Sequence, residues 1–488
     1  MKSKSLEFRS IRAGIASIPG DVSADAVGAY EARLEEIYAP QTHAAALDPT
    51  TPIVVGPRGT GKSFWSSVLG REETRAAASI AYPRLGLGNV VTYFGFTGVG
   101  GLQGITAESL DELVPQDAEI GGAKAFWWAT ILRAIETYDN GGELRPLSDL
   151  VPLAVDRAGR EKRIAEIDSR LGNSKKVLLI VYDALDTVAR TWPRRRLLTE
   201  ALFEVVWGMR AFRSVRMKLF LRPDQVDDDA LRFVELPKLR TGAVRLAWSG
   251  TDLYGLLFSR LALANEAVVQ ESFRKITTHV GAGVADRSKI LAGEWSLSHN
   301  TELQTKVVEI LAGPYMATGT YGYKKGKTYD WPLTHLADAF DEVTPRSFLG
   351  LMIAAAKFGE PPQDRAITPD GIRHGLRDAS RTRVDQLHQE FHWIKGVLAP
   401  LAGLLLPTRQ EDVFAAWKKT NTIQTLLRDA MKSNYMPPFP DKSGSESALL
   451  VALQKIGVMF RRKDERIDMP DLFRVAAKLL KKGAPAPT

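Results

Sequence analysis

Ile53-Val54-Val55-Gly56-Pro57-Arg58-Gly59-Thr60-Gly61-Lys62-Ser63 is the stretch on which the reading of this chain turns. Gly56 to Ser63 has the spacing G-x-x-x-x-G-K-[ST] of a Walker A phosphate-binding loop. The context is the one that motif requires, a short apolar strand before it and an amphipathic segment after it. Glycines let backbone N–H groups approach phosphate oxygens, and a helix starting near Lys62 turns its positive end toward them. In this reading Gly56, Pro57, Arg58, Gly59, Thr60, Gly61, Lys62, Ser63 and Phe64 cradle the nucleotide. Lys62 reaches the β- and γ-phosphates and Ser63 ligates Mg²⁺, so ATP and Mg²⁺ are the expected cofactors.

Such a loop needs an acid for the magnesium shell. Val177-Leu178-Leu179-Ile180-Val181-Tyr182 is a continuous apolar run, as expected of a strand buried on both faces, and it delivers Asp183 at its C-terminal end. The carboxylate is expected to hold Mg²⁺ through water. The usual adjacent glutamate is missing, since position 184 is alanine, and Asp186 is the nearest carboxylate that could orient an attacking water. Hydrolysis is therefore expected to be slow. Asp186 could equally cap the helix that follows it.

A further strand, Lys218-Leu219-Phe220-Leu221, ends in Arg222, expected to lie between the two Walker elements and to sense the γ-phosphate. Before it, Arg210, Arg213 and Arg216 are read as one face of a helix ending near the nucleotide edge, from which one could act in trans as an arginine finger. Arg346, in Thr344-Pro345-Arg346, falls in a first helical turn, where a cation opposes the helix dipole. That placement points to nucleotide contact. His388 and His392, one turn apart in HQEFH, lack the spacing of a zinc protease motif and read as ordinary helix residues.

Composition narrows the classes further. The chain has 488 residues, of which 44% are apolar and 25% charged, so it can bury a large core. Without cysteine it has no disulfide framework, thiolate zinc site or cysteine nucleophile. No apolar run approaches the ~20 residues of a membrane span. The basic start, broken by Glu7, Arg9 and Arg12, is not a secretory signal, so a cytoplasmic protein without membrane partners is expected. The net charge is +8, and nine cations against two acids in 190–222 account for +7 of it. Such a segment suits phosphate or nucleic acid.

The pieces GPRGTGKS, LLIVYDALD, LFLRPD and RLAWSGTDLYGLLFSRL, followed by TPRSFLGLM, ASRTRVDQL and RIDMPDLFRVA, resemble bacterial P-loop ATPases of the AAA+/STAND/KAP-like group. The fold expected is an α/β P-loop NTPase: a parallel sheet, a helical lid and a C-terminal helical and winged-helix region. The divisions are a helical lead-in over 1–44, the ATPase domain over 45–249, the lid over 250–362, and the remainder over 363–488. Val27, Tyr30, Leu34, Ile37 and Tyr38 give the lead-in its helical spacing. The resemblance implies an ATP-hydrolysing, ADP-releasing switch that forms homo-oligomers. It further implies a place in anti-phage defence beside a separate effector protein. The alternative is a DNA-engaging AAA+ motor or loader using the winged helix and the 190–222 segment. A third reading, a scaffold with structural ATP, follows from Ala184.

Overall fold

The computed structural model describes residues 7–19, 31–98, 104–189, 191–227, 231–433, 435–439 and 444–482. Val27, Tyr30, Arg190 and the closing GAPAPT lie outside them. The chain divides into two compact units, residues 23–247 and residues 1–22 with 248–488.

The first unit is built on a parallel sheet of β1 (Ile53–Val55), β2 (Val90–Phe96), β3 (Val177–Tyr182), β4 (Val215–Leu221) and β5 (Val244–Arg245), in the order β2-β3-β4-β1-β5. The α/β fold class and the parallel sheet are those expected from the sequence. β4 stands between β1 and β3, with Val55 opposite Leu221 and Tyr182 opposite Leu219. Gly56, Asp183 and Arg222, each following its strand, therefore emerge at one edge of the sheet.

The strands read as apolar runs because helices cover both faces. The helix Ile120–Asp139 is apolar nearly all round and buries Phe126, Trp127 and Trp128. Trp127 packs edge-on against Phe96 and Tyr182, and its indole N–H donates to the Leu198 carbonyl at 3.0 Å. Tyr182, the residue before Asp183, is pinned by a 2.7 Å hydrogen bond between its hydroxyl and that of Thr130. The stretch 97–122 is rich in glycine and reads from sequence as loop, yet it contains the helix Ala107–Leu113, whose first turn Thr106 caps through the Ser109 N–H. The helices Leu147–Val155 and Arg157–Asn173 were not anticipated, although Ile164, Ile167 and Leu171 keep helical spacing and are buried.

The lead-in departs from expectation. Among the described residues of 31–44, Leu34–Glu36 form only a short 3₁₀ turn, and Ala32, Ile37 and Tyr38 are buried from irregular backbone. The Ala32 N–H donates to Ser67 Oγ at 2.9 Å, so tertiary contact outweighs the helical pattern there. The helix Phe8–Ser17 belongs to the other unit, where Arg12 donates to the carbonyls of Phe358 and Gly359 at 2.7 and 2.8 Å.

Lys218, in the middle of β4, is fully buried. Its ammonium donates to the carbonyls of Ala46, Asp48 and Thr51 at 2.9, 2.9 and 2.7 Å, tying the segment that enters β1 to β4. Burial pushes the amine down from 10.5 to about 7, Asp48 opposing the fall. Between those two values the unfolded chain holds a proton that the folded chain has released. This site's contribution to stability therefore rises with pH across that window. Lys218→Met leaves three carbonyls, one buried and two partly buried, without their donor, an expected cost of about 3 kcal/mol. Urea midpoints measured from pH 7 to 10 check both points: the variant should be less stable and should lose part of the wild-type rise.

The second unit is helical. The helices Pro345–Lys357 and Pro369–Glu390 pack together, joined by a segment containing Pro361 and Pro362. Thr344 and Thr368 cap these two helices through the N–H groups of Ser347 and Gly371. Near the C-terminus the helices Gln410–Lys419, Thr422–Ser433 and Glu446–Lys455 precede an antiparallel hairpin, Phe460–Arg461 with Ile467–Asp468, to which Thr408 adds a bridge. The sequence from Pro470 to Leu480 reads as a helix, but helix is confined to Asp471–Arg474. Lys478 then takes φ +58° and Leu480–Lys481 pairs with Leu405–Leu406. Among the described residues no helix is long and apolar enough to cross a membrane.

Candidate nucleotide site

The loop between β1 and the helix Lys62–Gly70 has the geometry its glycines permit. Gly61 sits at φ +100°, a backbone that disfavours any residue with a Cβ. Having no side chain, Gly61 caps nothing, and no acid occupies the first turn. The N-terminal turn of this helix is thus one to which its N-cap residue lends no side-chain acceptor. The loop is fixed at its base by the Gly56 N–H donating to Leu221 O at 3.0 Å, and within itself by Thr60 Oγ1 donating to Pro57 O at 2.8 Å. Trp65 anchors the helix: its indole N–H donates to His43 Nδ1 at 3.1 Å, and His43 Nε2 lies 2.9 Å from Ala247 O. Phe64, half-buried, packs edge-on against Trp65, while Arg58 is half-buried on the loop.

Lys62 folds back over the loop, its ammonium donating to Gly56 O and Pro57 O at 2.7 and 2.9 Å. Ser63 is exposed and its hydroxyl donates to the Asp183 carboxylate. Burial pushes that carboxyl above its ordinary value. Ser63, the Ala184 N–H and the Lys62 charge pull it back down, and Asp186 adds to the rise. A divalent cation beside Ser63 and Asp183 would favour the ionised form. The two proposed magnesium ligands are thus adjacent, and their chemistry, a hydroxyl and a carboxylate oxygen, suits a hard cation.

After Asp183 the chain turns sharply. Ala184 adopts φ +54°, ψ +27°, a left-handed conformation costing a non-glycine residue roughly 1 kcal/mol. It starts the 3₁₀ turn Leu185–Thr187, which carries Asp186. Asp186 Oδ2 accepts from Arg222 Nη1 at 3.3 Å. Arg222 is otherwise clamped from behind, its Nε and Nη2 donating to the Asp224 oxygens at 3.1 and 3.2 Å. Asp224 also accepts from Arg195 Nη2 at 2.7 Å. Burial would raise the Asp224 carboxyl, but Arg222 and Arg195 together hold it well below the usual carboxylate range. Arg222 and Arg195 are 8% and 4% exposed, so this is a buried ion triad rather than a surface pair.

Asp224 and Arg195 had no assigned part in the sequence reading. Asp224 was legible as an acid two residues beyond Arg222, whereas Arg195 meets it only through the packing of the helix Trp192–Met209. That packing also changes the meaning of the basic segment. Arg194 is buried, donating to Asp111 at 2.7 Å and to the carbonyls of Val114 and Pro115 at 2.8 and 3.0 Å. With Lys218, Arg195 and Arg222, it accounts for four of the nine cations in structural use.

Arg210, Arg213 and Arg216 correct the expectation that they share a helix face at the nucleotide edge. The helix ends at Met209; Arg210 is its C-cap, Arg213 lies in the bend beyond, and Arg216 is in β4. They sit where β4 begins, on the order of 20 Å of strand from its phosphate-side end. Arg210 covers the Trp207 ring at 4.3 Å, and Arg216 Nε donates to Arg213 O at 2.9 Å. The reason is the polarity of the crossover: this helix leaves the edge where β3 ends and returns the chain to where β4 starts. Arg346 is the second residue of the helix Pro345–Lys357 in the helical unit, half-buried. His388 and His392, also in that unit, have ring centroids 6.0 Å apart. Among the described residues no group of three or more acidic or histidine side chains is arranged to hold a metal.

A glycine-rich loop after β1, an acid after β3 and an intervening β4 ending in arginine give the chain the α/β P-loop NTPase fold. Among solved structures the chain is similar to that of the Aeropyrum pernix ORC2 protein in its ADPNP–ADP complexes. The likeness has 11% identity and a TM-score of 0.33, and it covers 96% of this chain and 91% of that one. At that TM-score it adds nothing to the geometry. No protein-family model matches the chain, and no curated protein does.

Proposed function

We propose that this protein binds ATP with Mg²⁺ and hydrolyses it slowly, as a nucleotide-controlled switch. The observation that carries the proposal is the convergence of Lys62, Ser63, Asp183, Asp186 and Arg222 at one sheet edge, beside the N-terminus of the helix Lys62–Gly70. Gly56 through Phe64 would wrap the phosphates, with Lys62 exchanging two loop carbonyls for phosphate oxygens. Ser63 and Asp183 would hold Mg²⁺, the latter through water, and the ion would neutralise developing charge at the γ-phosphate.

Arg222 gives the switch its physical form. Asp224 grips its Nε and Nη2, while its Nη1 reaches Asp186. A γ-phosphate arriving at this edge would compete with Asp186 for that end of the guanidinium. Asp186 would be released to orient the attacking water in place of the glutamate that Ala184 replaces. Asp186→Asn is therefore expected to preserve ATP affinity while lowering turnover about tenfold to a hundredfold. A wild-type turnover number in a phosphate-release assay would return Asp186 to a structural role.

The wider reading is that nucleotide state controls assembly into homo-oligomers in the cytoplasm, with residues 250–362 as a lid whose Arg346 contacts nucleotide, and 363–488 as a helical and winged-helix region. The defence role and the separate effector rest on the sequence resemblance. A DNA-engaging motor is the alternative: the hairpin after three helices carries Arg461, Arg462, Lys463 and Arg466 near its turn, but Glu465, Asp468 and Asp464 pair with all of these except Lys463. The 190–222 segment supports it less than its charge implied, because four of its cations are buried. Phosphate release with and without duplex DNA at two salt concentrations separates the readings, since motor stimulation should fall steeply with salt.

A further inference from the structure

The segment between Gly313 and Thr328, in the helical unit, folds into a tongue that none of the preceding argument uses. Tyr315 and Lys327 form an antiparallel bridge, and the Met316 N–H donates to Gly326 O at 2.9 Å. The tongue is held firmly at its base. Met316 is completely buried, and its carbonyl accepts from the Arg373 guanidinium. The Thr328 N–H donates to Pro314 O at 3.1 Å. At the tip Gly322 lies so close to the chain that a Cβ would meet Ala317 O at 2.3 Å.

This frame holds aromatic rings out in solvent. Tyr315, Tyr321 and Tyr323 are 37%, 67% and 57% exposed, although tyrosine rings ordinarily contribute to cores or interfaces. Lys324 lies against two of them, 4.7 Å from the Tyr321 ring centroid and 6.0 Å from that of Tyr323. Lys325 and Lys327 are exposed beside them. From Ile310 to Tyr329 the chain contains no acidic residue, so the tongue itself carries a charge of +3.

We propose that this tongue binds single-stranded nucleic acid, its tyrosines stacking on bases and Lys324, Lys325 and Lys327 meeting phosphates. Stacking platforms interleaved with cations are the chemistry by which single strands are held without sequence preference. A duplex hides its base faces and offers such a surface phosphates alone. A protein partner would meet three lysines with no apolar patch beyond the rings. The pre-formed hydrogen bonds at the base mean that little ordering opposes binding. This inference is independent of the phosphate site and stands or falls without ATP.

The test is fluorescence anisotropy of the full chain, without nucleotide, using labelled oligo(dT) of about 20 nucleotides and a duplex of equal length. Wild type should prefer the single strand. Tyr321→Ser with Tyr323→Ser should weaken oligo(dT) binding about tenfold or more, while the corresponding phenylalanine pair retains it. Lys324→Gln, Lys325→Gln and Lys327→Gln together should reduce the logarithmic salt slope by about 2. Circular dichroism confirms that each variant is folded, as exposed positions should allow. Failure of wild type to bind oligo(dT), equal binding of duplex, or unchanged affinity in both sets of variants overturns the proposal. So does a loss of self-assembly in sedimentation with oligo(dT) binding intact, which would make the tongue a protein contact.

Discussion

Titrated with ATP and Mg²⁺ in a calorimeter, Lys62→Ala is expected to lose at least about a hundredfold in affinity, or about 3 kcal/mol. In the proposed site Lys62 would bring a positive charge to the phosphates beside the loop's backbone N–H groups and the clamped Arg222. It already donates to two loop carbonyls, Gly56 O and Pro57 O, so the ammonium is held over the loop before any ligand arrives. The same substitution should leave thermal stability nearly unchanged. Lys62 is only half-buried, and the helix it begins is anchored instead by Trp65. Loss of binding without loss of fold is the signature of the site. Unchanged affinity would remove the P-loop assignment, and with it the roles given to Ser63 and Asp183.

Asp224→Ala is expected to produce the opposite pattern, a loss of stability of about 3 kcal/mol accompanied by loss of activity. Removing this carboxylate takes the shared partner from two buried guanidiniums, Arg222 and Arg195, whose mutual repulsion it now cancels, and leaves Arg222 only the longer contact to Asp186. Leaving a buried charge unpaired costs more than the pair itself contributes. The carboxyl titrates well below its ordinary range, so its stabilisation is present above the unfolded carboxylate value near 3.8 and is lost as pH falls below it. A shallower acid-unfolding profile in Asp224→Ala, measured from neutral pH downward, is the expected accompaniment. Wild-type stability in the variant would mean that the triad is relaxed by solvent, and that Arg222 is not held in place for a phosphate.

What the sequence made legible follows from how local each signal is. The loop from Gly56 to Ser63, the strand before Asp183 and the strand before Arg222 announce themselves through short-range chemistry, and the parallel sheet places their ends together. The arginines at 210, 213 and 216 were misplaced because a spacing of three reads as helix whether or not the helix has already ended. Met209 and Arg210 mark that end, and the one local sign of it, Gly208, lies inside the last turn rather than past the cap where a terminating glycine stands. The apparent excess of charge at 190–222 was misleading for a different reason. Asp111, Asp224 and the carbonyls of the segment entering β1 compensate buried cations from elsewhere in the chain, and only tertiary structure brings them near. The spacing of Ile37 and Tyr38 reflects burial on irregular backbone, while Leu34, half-buried, starts only a 3₁₀ turn.

Lys218 sets a mechanical condition on whatever this site does. Its three hydrogen bonds rivet the segment entering β1 to the middle of β4, the two strands that end in the P-loop and in Arg222. Those strands cannot slide past one another without breaking a buried ammonium from all its acceptors. Shear within the centre of the sheet is therefore closed as a route for transmitting nucleotide state. Movement is left to parts that bend without stretching the rivet: the turn at Ala184–Thr187 and the outer strands β2 and β5. Amide exchange should reflect this division, with β1 and β4 opening as one late unit and the turn carrying Asp186 exchanging far earlier.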